Sequence, residues 1–285
     1  MNKNGKLYPV ALTVAGSDSG GGAGIQADLR TFTAFRVFGC SVITAVTSQN
    51  PTKVSRVDAL PGEAVSAQMK AVSVFNLRAV KTGMLFNSSV ISALVPFFKK
   101  LRKAELPLII DPVMVSTSGA KLLRDDARSM LRDKLFPLAS WITPNIPEAE
   151  LISGKKLRGG DDMAWAALYF YERWGLNSII KGGHIKNSSV PGMVTDIVAY
   201  NGRLYSLSSP AASAGERLSH GTGCTLSAAL TASLASGNSW RNALVSAKSF
   251  VYGSMIESVS SSETFNSMFP PVNSYEDFID LKSYN

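Results

Sequence analysis

Ser219-His220-Gly221-Thr222-Gly223-Cys224-Thr225 runs straight into Leu226-Ser227-Ala228-Ala229-Leu230-Thr231-Ala232-Ser233-Leu234. Leu226, Leu230 and Leu234 recur at a spacing of four, which marks one face of a helix. A Gly-x-Gly turn that opens a helix leaves the first N–H groups without carbonyl partners. The helix dipole adds partial positive charge at the same place, so the turn suits an anion. Cys224 sets an ionisable thiol beside that anion. The combination points to phosphate chemistry, although the heptapeptide alone also fits an ordinary turn before a core helix.

The rest of the chain supplies the scaffold such a turn needs. Strand-like Val10–Ala15, Ser41–Thr47, Arg78–Lys81, Pro107–Asp111, Ala139–Thr143 and Ser178–Lys181 are interspersed with helix-like Ala23–Phe38, Glu63–Phe75, Ser88–Lys103, Asp125–Phe136 and Asp161–Trp174. This βαβα succession predicts an α/β fold with a mostly parallel central sheet and helices on both faces. Val194–Tyr200, Asn201-Gly202 and Arg203–Leu207 predict an antiparallel hairpin on a type I′ turn, hence a mixed sheet edge. Helices are expected over Thr222–Ala235 and Trp240–Val259. No linker or repeat interrupts residues 1–285, which read as one domain with the tail from about 260 to 285 unplaced. Ligands of open α/β sheets bind beyond the carboxyl ends of the parallel strands. Six strand ends place polar groups there: Gly16-Ser17-Asp18, Gln49-Asn50, Lys81-Thr82-Gly83, Asp111, Thr143-Pro144-Asn145 and Lys181-Gly182-Gly183-His184.

Composition narrows the classes. At 285 residues and 45% hydrophobic the chain can bury a large core. The formal charge of +8 is scattered. Its densest run, Lys99-Lys100-Leu101-Arg102-Lys103, ends a surface helix where cations complement the dipole. No basic cluster alternates with aromatics, so a nucleic-acid-binding module is the weak rival, and the charge favours small anionic ligands. Two cysteines, Cys40 and Cys224, imply no disulfide framework and fit a reducing cytoplasm. The polar start and the break at Gly16-Ser17-Asp18 predict neither a signal peptide nor a membrane span. His184 and His220 are too few for a multi-histidine metal centre.

Gly16-Ser17-Asp18-Ser19-Gly20-Gly21-Gly22-Ala23-Gly24 follows the first strand but is neither a dinucleotide fingerprint nor a Walker loop. Ile25 stands where the last glycine would be needed and Gly22 where the lysine would be. Five glycines in nine residues nevertheless predict a close backbone approach to a ligand.

Together with Ile25-Gln26-Ala27-Asp28-Leu29, this stretch resembles the N-terminal signature of the hydroxymethylpyrimidine and phosphomethylpyrimidine kinase family of thiamine biosynthesis. The resemblance continues through Ser41–Asn50, Lys81–Leu85, Asp111–Met114, Ile142–Ala149, Lys181–His184 and the Gly-Thr-Gly-Cys-Thr turn, over roughly residues 10 to 257. It implies a ribokinase-like fold, ATP and Mg2+ as cofactors, a small-molecule pyrimidine substrate and a homodimer. By the same resemblance Gln49 grips the pyrimidine, an apt task for an amide with one acceptor and two donors. Asp28, Met84, Gly16 and Ala23 line that pocket. Lys181 reaches the nucleotide phosphates, Asn145 and Glu148 order magnesium-bound water, and Asp111 lies near phosphates and metal. Thr222 and the N–H groups of Gly221, Gly223 and Cys224 hold the transferring phosphate, and Cys224 is a candidate base through a thiol pKa lowered by the helix N-terminus. Without the resemblance, Asn145 to Glu148 reads as a helix cap. Asp196 matches a recurrent family aspartate with no assigned task, and neither histidine is assigned.

Two departures stand out. Thr117 occupies a position where many relatives carry lysine, and Phe269-Pro270-Pro271-Val272-Asn273 lacks the family's glycine-rich run, which puts the adenine side of the nucleotide pocket in question. The nearest alternative on the same scaffold is a pyridoxine or pyridoxal kinase.

Overall fold

In the computed structural model, which describes residues 8–115, 121–183, 191–212, 220–261 and 266–284, the first half of the chain forms β1 (Val10–Asp18), α1 (Gly24–Ala34), β2 (Phe38–Asn50), β3 (Lys53–Ala59), α2 (Gly62–Val72), β4 (Leu77–Thr82), α3 (Ser88–Lys103), β5 (Leu108–Ile110) and α4 (Asp125–Met130). The second half forms β6 (Trp141–Ile142), α5 (Ile146–Ser153), α6 (Gly160–Trp174), β7 (Asn177–Ile180), β8 (Met193–Tyr200), β9 (Arg203–Pro210), α7 (Thr222–Ala235) and α8 (Trp240–Ile256). The tail adds the short strands β10 (Val259–Ser260), β11 (Asn266–Ser267) and β12 (Asp280–Ser283). No helix among the described residues is long and apolar enough to cross a membrane.

Ten strands form one sheet in the order β12-β9-β8-β7-β6-β5-β4-β1-β2-β3. The strands from β2 through β1, β4, β5 and β6 to β7 pair in parallel. Antiparallel β3 closes one side, and β8, β9 and β12 the other. The parallel centre is apolar on both faces because helices cover both. In β5, Leu108 and Ile110 join the cluster that contains Val65 of α2, Leu94 of α3 and Phe170 of α6, whereas Ile109 joins Leu230 of α7 and Leu244 of α8. Where α7 crosses α1 the contact is made of small groups: Ala228, Ala232 and Ala235 pack with Phe32, Ala11 and Ala79. Small residues bring that helix close to the sheet.

Several boundaries differ from those expected. The helix expected over Ala23–Phe38 ends at Ala34. Arg36 takes φ 56°, Val37 N donates back to Phe32 O at 2.9 Å, and Phe38 already pairs with Val10. The expected Asp125–Phe136 helix is α-helical only to Met130 and continues as a π-helical turn over Leu131–Leu135. α8 stops at Ile256. Asn201 and Gly202 have φ 48° and 74°, the left-handed pair that a type I′ hairpin requires. The unplaced tail returns to the sheet, β12 pairing with β9. Its Phe269–Asn273 stretch is strapped to the end of α8, where the Glu257 carboxylate accepts from Val272 N at 2.7 Å and from Asn273 N at 3.2 Å.

Gly221 has φ 85°, and a β-carbon there would stand 1.9 Å from the Gly22 carbonyl oxygen. Gly154 has a similar φ of 75° with open space around it. Gly154→Ala should therefore cost about 1 kcal/mol, the penalty of the left-handed backbone alone. Gly221→Ala should cost at least ~2 kcal/mol more, because alanine there also overlaps a fixed carbonyl. Urea midpoints measure both; equal losses would mean that the two loops are not in contact.

Candidate active site

Each parallel strand delivers a polar group to one rim, and the charges there are interlocked. Asp111, one residue beyond β5, is 2% exposed. Its carboxylate accepts from Lys181 Nζ at 3.2 Å, from Thr143 Oγ1 at 3.2 Å and from Ser227 Oγ of α7 at 3.3 Å. Lys181 lies one residue beyond β7, and its Nζ comes within 2.9 Å of where a β-carbon on Gly223 would be. The cation thus sits under the opening of α7, and glycine at position 223 leaves room for it. Burial works to lower the Lys181 ammonium, but Asp111 and Glu148 outweigh it and hold the group charged.

Asn145 and Glu148 form a complete capping box on α5: Asn145 Oδ1 accepts from Glu148 N, and Glu148 Oε2 accepts from Asn145 N, both at 2.9 Å. The helix-cap reading of this pair is what the structure displays. Glu148 also faces the charge cluster. Burial pushes its carboxyl up to about 7, opposed by Lys181 and reinforced by Asp111. The described residues contain no group of three or more acidic, histidine or cysteine side chains arranged to hold a metal by themselves. Two carboxylates suit Mg2+, which keeps several waters and takes remaining ligands from substrate phosphates. Asp111 and Glu148 fit that chemistry.

The opening of α7 differs from α3, α5 and α8, whose first turns are capped by the side chains of Asn87, Asn145 and Ser239. Its N-cap is Gly221, which has no side chain to cap with. The N–H groups of Gly223 and Cys224 belong to the first turn, where the helix itself supplies no carbonyl partner. His220, just before the turn, ties it to the glycine-rich loop: its Nε2 lies 3.1 Å from Asp18 Oδ2 and 3.5 Å from Gln49 Nε2. Asp18 in turn accepts from Gly20 N at 2.9 Å and Ala23 N at 2.8 Å. Burial raises the Asp18 carboxyl, but His220 and these two N–H groups outweigh it and hold it below the usual carboxylate range.

One cleft gathers Gly16, Ala23, Gln49, Met84 and Cys224. Gln49 Oε1 accepts from Thr47 Oγ1 at 3.2 Å, which turns the amide NH2 toward His220. Gly16 leaves room for Met84, whose Cε is 2.8 Å from where a β-carbon would stand. Asp28, expected among these lining residues, has no exposed surface and belongs to the floor instead. It pairs with the equally buried Lys81 at 2.7 Å and accepts from Thr13 Oγ1 at 2.6 Å. Asp18, from the Gly16-Ser17-Asp18 strand end, also lines the cleft, as do Thr47 and Leu122, for which sequence alone predicts no site role. Asp18 lay inside the glycine-rich signature, whereas Leu122 carries no sequence signal. Thr117 and His184 fall outside the described residues.

Cys224 overturns one expectation. The helix N-terminus was expected to lower its pKa, yet burial raises the thiol to about 12, against Lys81 and the Gly24 N–H, which favour the thiolate, and with Asp28 and Asp111 adding to the rise. Cys224 is half-buried and lines the cleft, but the protein around it withholds water, and desolvation exceeds what one helix terminus supplies. In the ligand-free protein Cys224 is a neutral thiol.

A helix N-terminus opened by glycine and flanked by a half-buried lysine and two carboxylates, at the carboxyl rim of a parallel sheet, defines a phosphoryl-transfer class of site. The phosphomethylpyrimidine kinase family matches residues 18–269, and the chain belongs to that family. It is 43% identical over 251 residues to a hydroxymethylpyrimidine/phosphomethylpyrimidine kinase of Rhizobium meliloti, covering 87% of this chain and 91% of that one. It is 44% identical to its Haemophilus influenzae counterpart over 84% of this chain and 88% of that protein. Among solved structures, the pyridoxal kinase from Staphylococcus aureus in complex with ADP superposes with TM-score 0.84 at 28% identity, covering 98% of this chain and all of that one. The phosphomethylpyrimidine kinase from Clostridium difficile superposes with TM-score 0.72 at 38% identity, covering 85% and 97%. The fold is the ribokinase-like one expected.

The thiol supplies a direct check. In a Cys40→Ser background, iodoacetamide should label Cys224 at a rate that climbs about tenfold per pH unit from pH 7 to about pH 10, because only the thiolate reacts and its share grows until pH meets pKa. A plateau near pH 7 would restore the lowered pKa that the helix terminus alone predicts.

Proposed function

We propose that the chain transfers the terminal phosphoryl group of ATP to the hydroxymethyl oxygen of 4-amino-5-hydroxymethyl-2-methylpyrimidine, then a second one to the resulting monophosphate, giving the diphosphate used in thiamine assembly. The observation that carries this reading is a single cleft lined by the Gln49 amide and by Cys224 at the opening of α7. A planar amino-pyrimidine offers an amine and a ring nitrogen side by side, which an amide can pair with through its acceptor and its donors. With the ring read by Gln49, the hydroxymethyl group faces Cys224 and the first turn of α7.

In the first step a bond forms between the alcohol oxygen and the γ-phosphorus while the bond to the β,γ-bridging oxygen breaks, and ADP leaves. Lys181 and the N–H groups of Thr222, Gly223 and Cys224 balance the charge on the phosphoryl oxygens. Asp111 and Glu148, with Asn145 beside them, are the residues that would hold Mg2+, which when bound neutralises and orients the phosphate oxygens. The alcohol proton passes to Cys224 in its thiolate form, the form that Lys81 and Lys181 favour against burial. In the second step the acceptor is a phosphate monoester, already largely dianionic at pH 7 with a second pKa of about 6, so no base is needed. ATP as donor is supported by the ADP-bound neighbour on the same fold. Free cysteines support a cytoplasmic setting, and the outer edge of β3, which no other described strand pairs with, supports pairing with a second copy.

Phosphorylation of pyridoxal is the second reading, favoured by the close superposition on a pyridoxal kinase. A pyridine ring without the amino-pyrimidine edge leaves the Gln49 amide poorly matched, which ranks it lower.

A coupled ADP-release assay that offers the pyrimidine alcohol and pyridoxal in parallel should show the higher kcat/KM for the pyrimidine. Gln49→Ala should lose ~1–3 kcal/mol of that preference while leaving ATP affinity intact. A preference for pyridoxal, or an unchanged preference in the variant, would shift the assignment to the second reading.

Cys224→Ala should slow the first phosphorylation by roughly 10²–10⁴-fold and the second by less. The wild-type kcat/KM for the alcohol should rise with pH through about pH 9, since this parameter follows the free enzyme's base. Equal losses on both acceptors would leave Cys224 a structural part of the turn.

A further inference from the structure

Asp196 and Lys248 lie outside the cleft, yet both are buried, at 3% and 6% exposure. Their partners make the pair more than a core ion pair. β7 and β8 run antiparallel with Ser178 opposite Ala199, Ile179 opposite Val198 and Ile180 opposite Ile197. One step further the ladder parts. Lys181 N turns to the other side and donates to Pro144 O at 2.9 Å, and Lys181 bridges Asn145 in parallel fashion. The next N–H, on Gly182, donates to the side chain of Asp196, with Oδ1 at 2.8 Å. The other oxygen, Oδ2, accepts from Lys248 Nζ of α8 at 2.8 Å. Asp196 therefore grips the backbone one residue beyond Lys181 and is itself held by a cation on a helix. The fit is tight: a β-carbon on Gly182 would lie 1.8 Å from the Thr195 carbonyl oxygen.

Lys181 is thus held on both sides of its own Cα, by Pro144 O before it and by Asp196 after it. Its Nζ is left to bridge Asp111 and the space beneath Gly223. A backbone so fixed orients a cation without spending transition-state stabilisation on arranging it. We infer that Asp196 and Lys248 form a brace that positions Lys181 for phosphoryl transfer, acting through the Gly182 N–H rather than by touching substrate. They are positioning residues, and the inference rests on the reading of Lys181 as the cation that meets the transferring phosphate.

The test is a double-mutant cycle on kcat with the pyrimidine alcohol, run with and without Lys181→Ala. Asp196→Leu/Lys248→Met replaces the pair with apolar groups of similar size, an exchange that buried ion pairs commonly tolerate, but it removes the acceptor for Gly182. With Lys181 present it should lower kcat by about 10- to 100-fold, the usual cost of a misplaced catalytic group, while melting stays cooperative. With Lys181→Ala already in place the same change should have no further effect. Asp196→Asn/Lys248→Met keeps an oxygen for the Gly182 N–H and should restore kcat to within about threefold of the wild type. Should the leucine variant fail to fold, Asp196→Ala/Lys248→Met serves in its place. Wild-type kcat in the acceptor-free variant, or the same fold loss in both backgrounds, overturns the brace. Wild-type turnover in Lys181→Ala alone removes Lys181 from the reaction, and the brace with it.

Discussion

The carbonyl oxygen of Gly22 occupies the place that a β-carbon on Gly221 would take, and the layout of the site depends on that contact. It brings the glycine-rich loop after β1 against the opening of α7, two segments separated by about two hundred residues, as the His220–Asp18 separation of 202 attests. Because the approach is backbone on backbone, no side chain can be inserted to hold the segments apart. The cleft that begins at Gly16 and Gln49 therefore ends at Cys224, and the helix N-terminus meets whatever that cleft holds. The second close approach, of Gly24 to the Gly16 carbonyl at 2.4 Å from an imagined β-carbon, folds the same loop back on its own strand.

Charge is arranged around this contact in two buried layers. Beneath the sheet rim, Lys81 and Asp28 neutralise each other with no exposed surface. Nearer the cleft, Lys181 shares Asp111 with Thr143 and Ser227. A buried cation without a partner would be prohibitively desolvated, so each lysine carries its own carboxylate. The outcome is a set of charges fixed in place, with the Lys181 ammonium held under the opening of α7, where a phosphoryl group whose charge is spread over several oxygens can meet it. The same burial keeps Cys224 neutral until something changes its surroundings.

Much of this was legible in the sequence because it rests on local chemistry. The bounds of α3 and α7 followed from periodicity and glycine or serine starts, and the Asn201-Gly202 hairpin from its φ requirement. The rim of strand ends was visible because polar residues close apolar runs. The parts that escaped depend on distant neighbours. β3 is exposed or half-buried along its whole length at a sheet edge and has no buried face to betray it. Arg36 takes a left-handed conformation that few residues other than glycine signal. Asp28 resembled a pocket residue by position, yet Lys81, 53 residues away, draws it into the floor. The Cys224 thiol departs from the expectation for the same reason: the helix terminus is written in the neighbouring residues, whereas the burial that dominates it is not.

In the proposed reaction the transferring phosphoryl group sits at the first turn of α7 beside Lys181, with the acceptor hydroxyl facing Cys224. A crystal structure of the protein with Mg2+, ADP, aluminium fluoride and the pyrimidine alcohol tests this most directly, because the planar fluoride marks where the phosphoryl group passes. The fluoride is expected within hydrogen-bond reach of the N–H groups of residues 222–224 and of Lys181 Nζ, with the alcohol oxygen on its far side from ADP. A fluoride bound elsewhere, touching neither the turn nor Lys181, would contradict it.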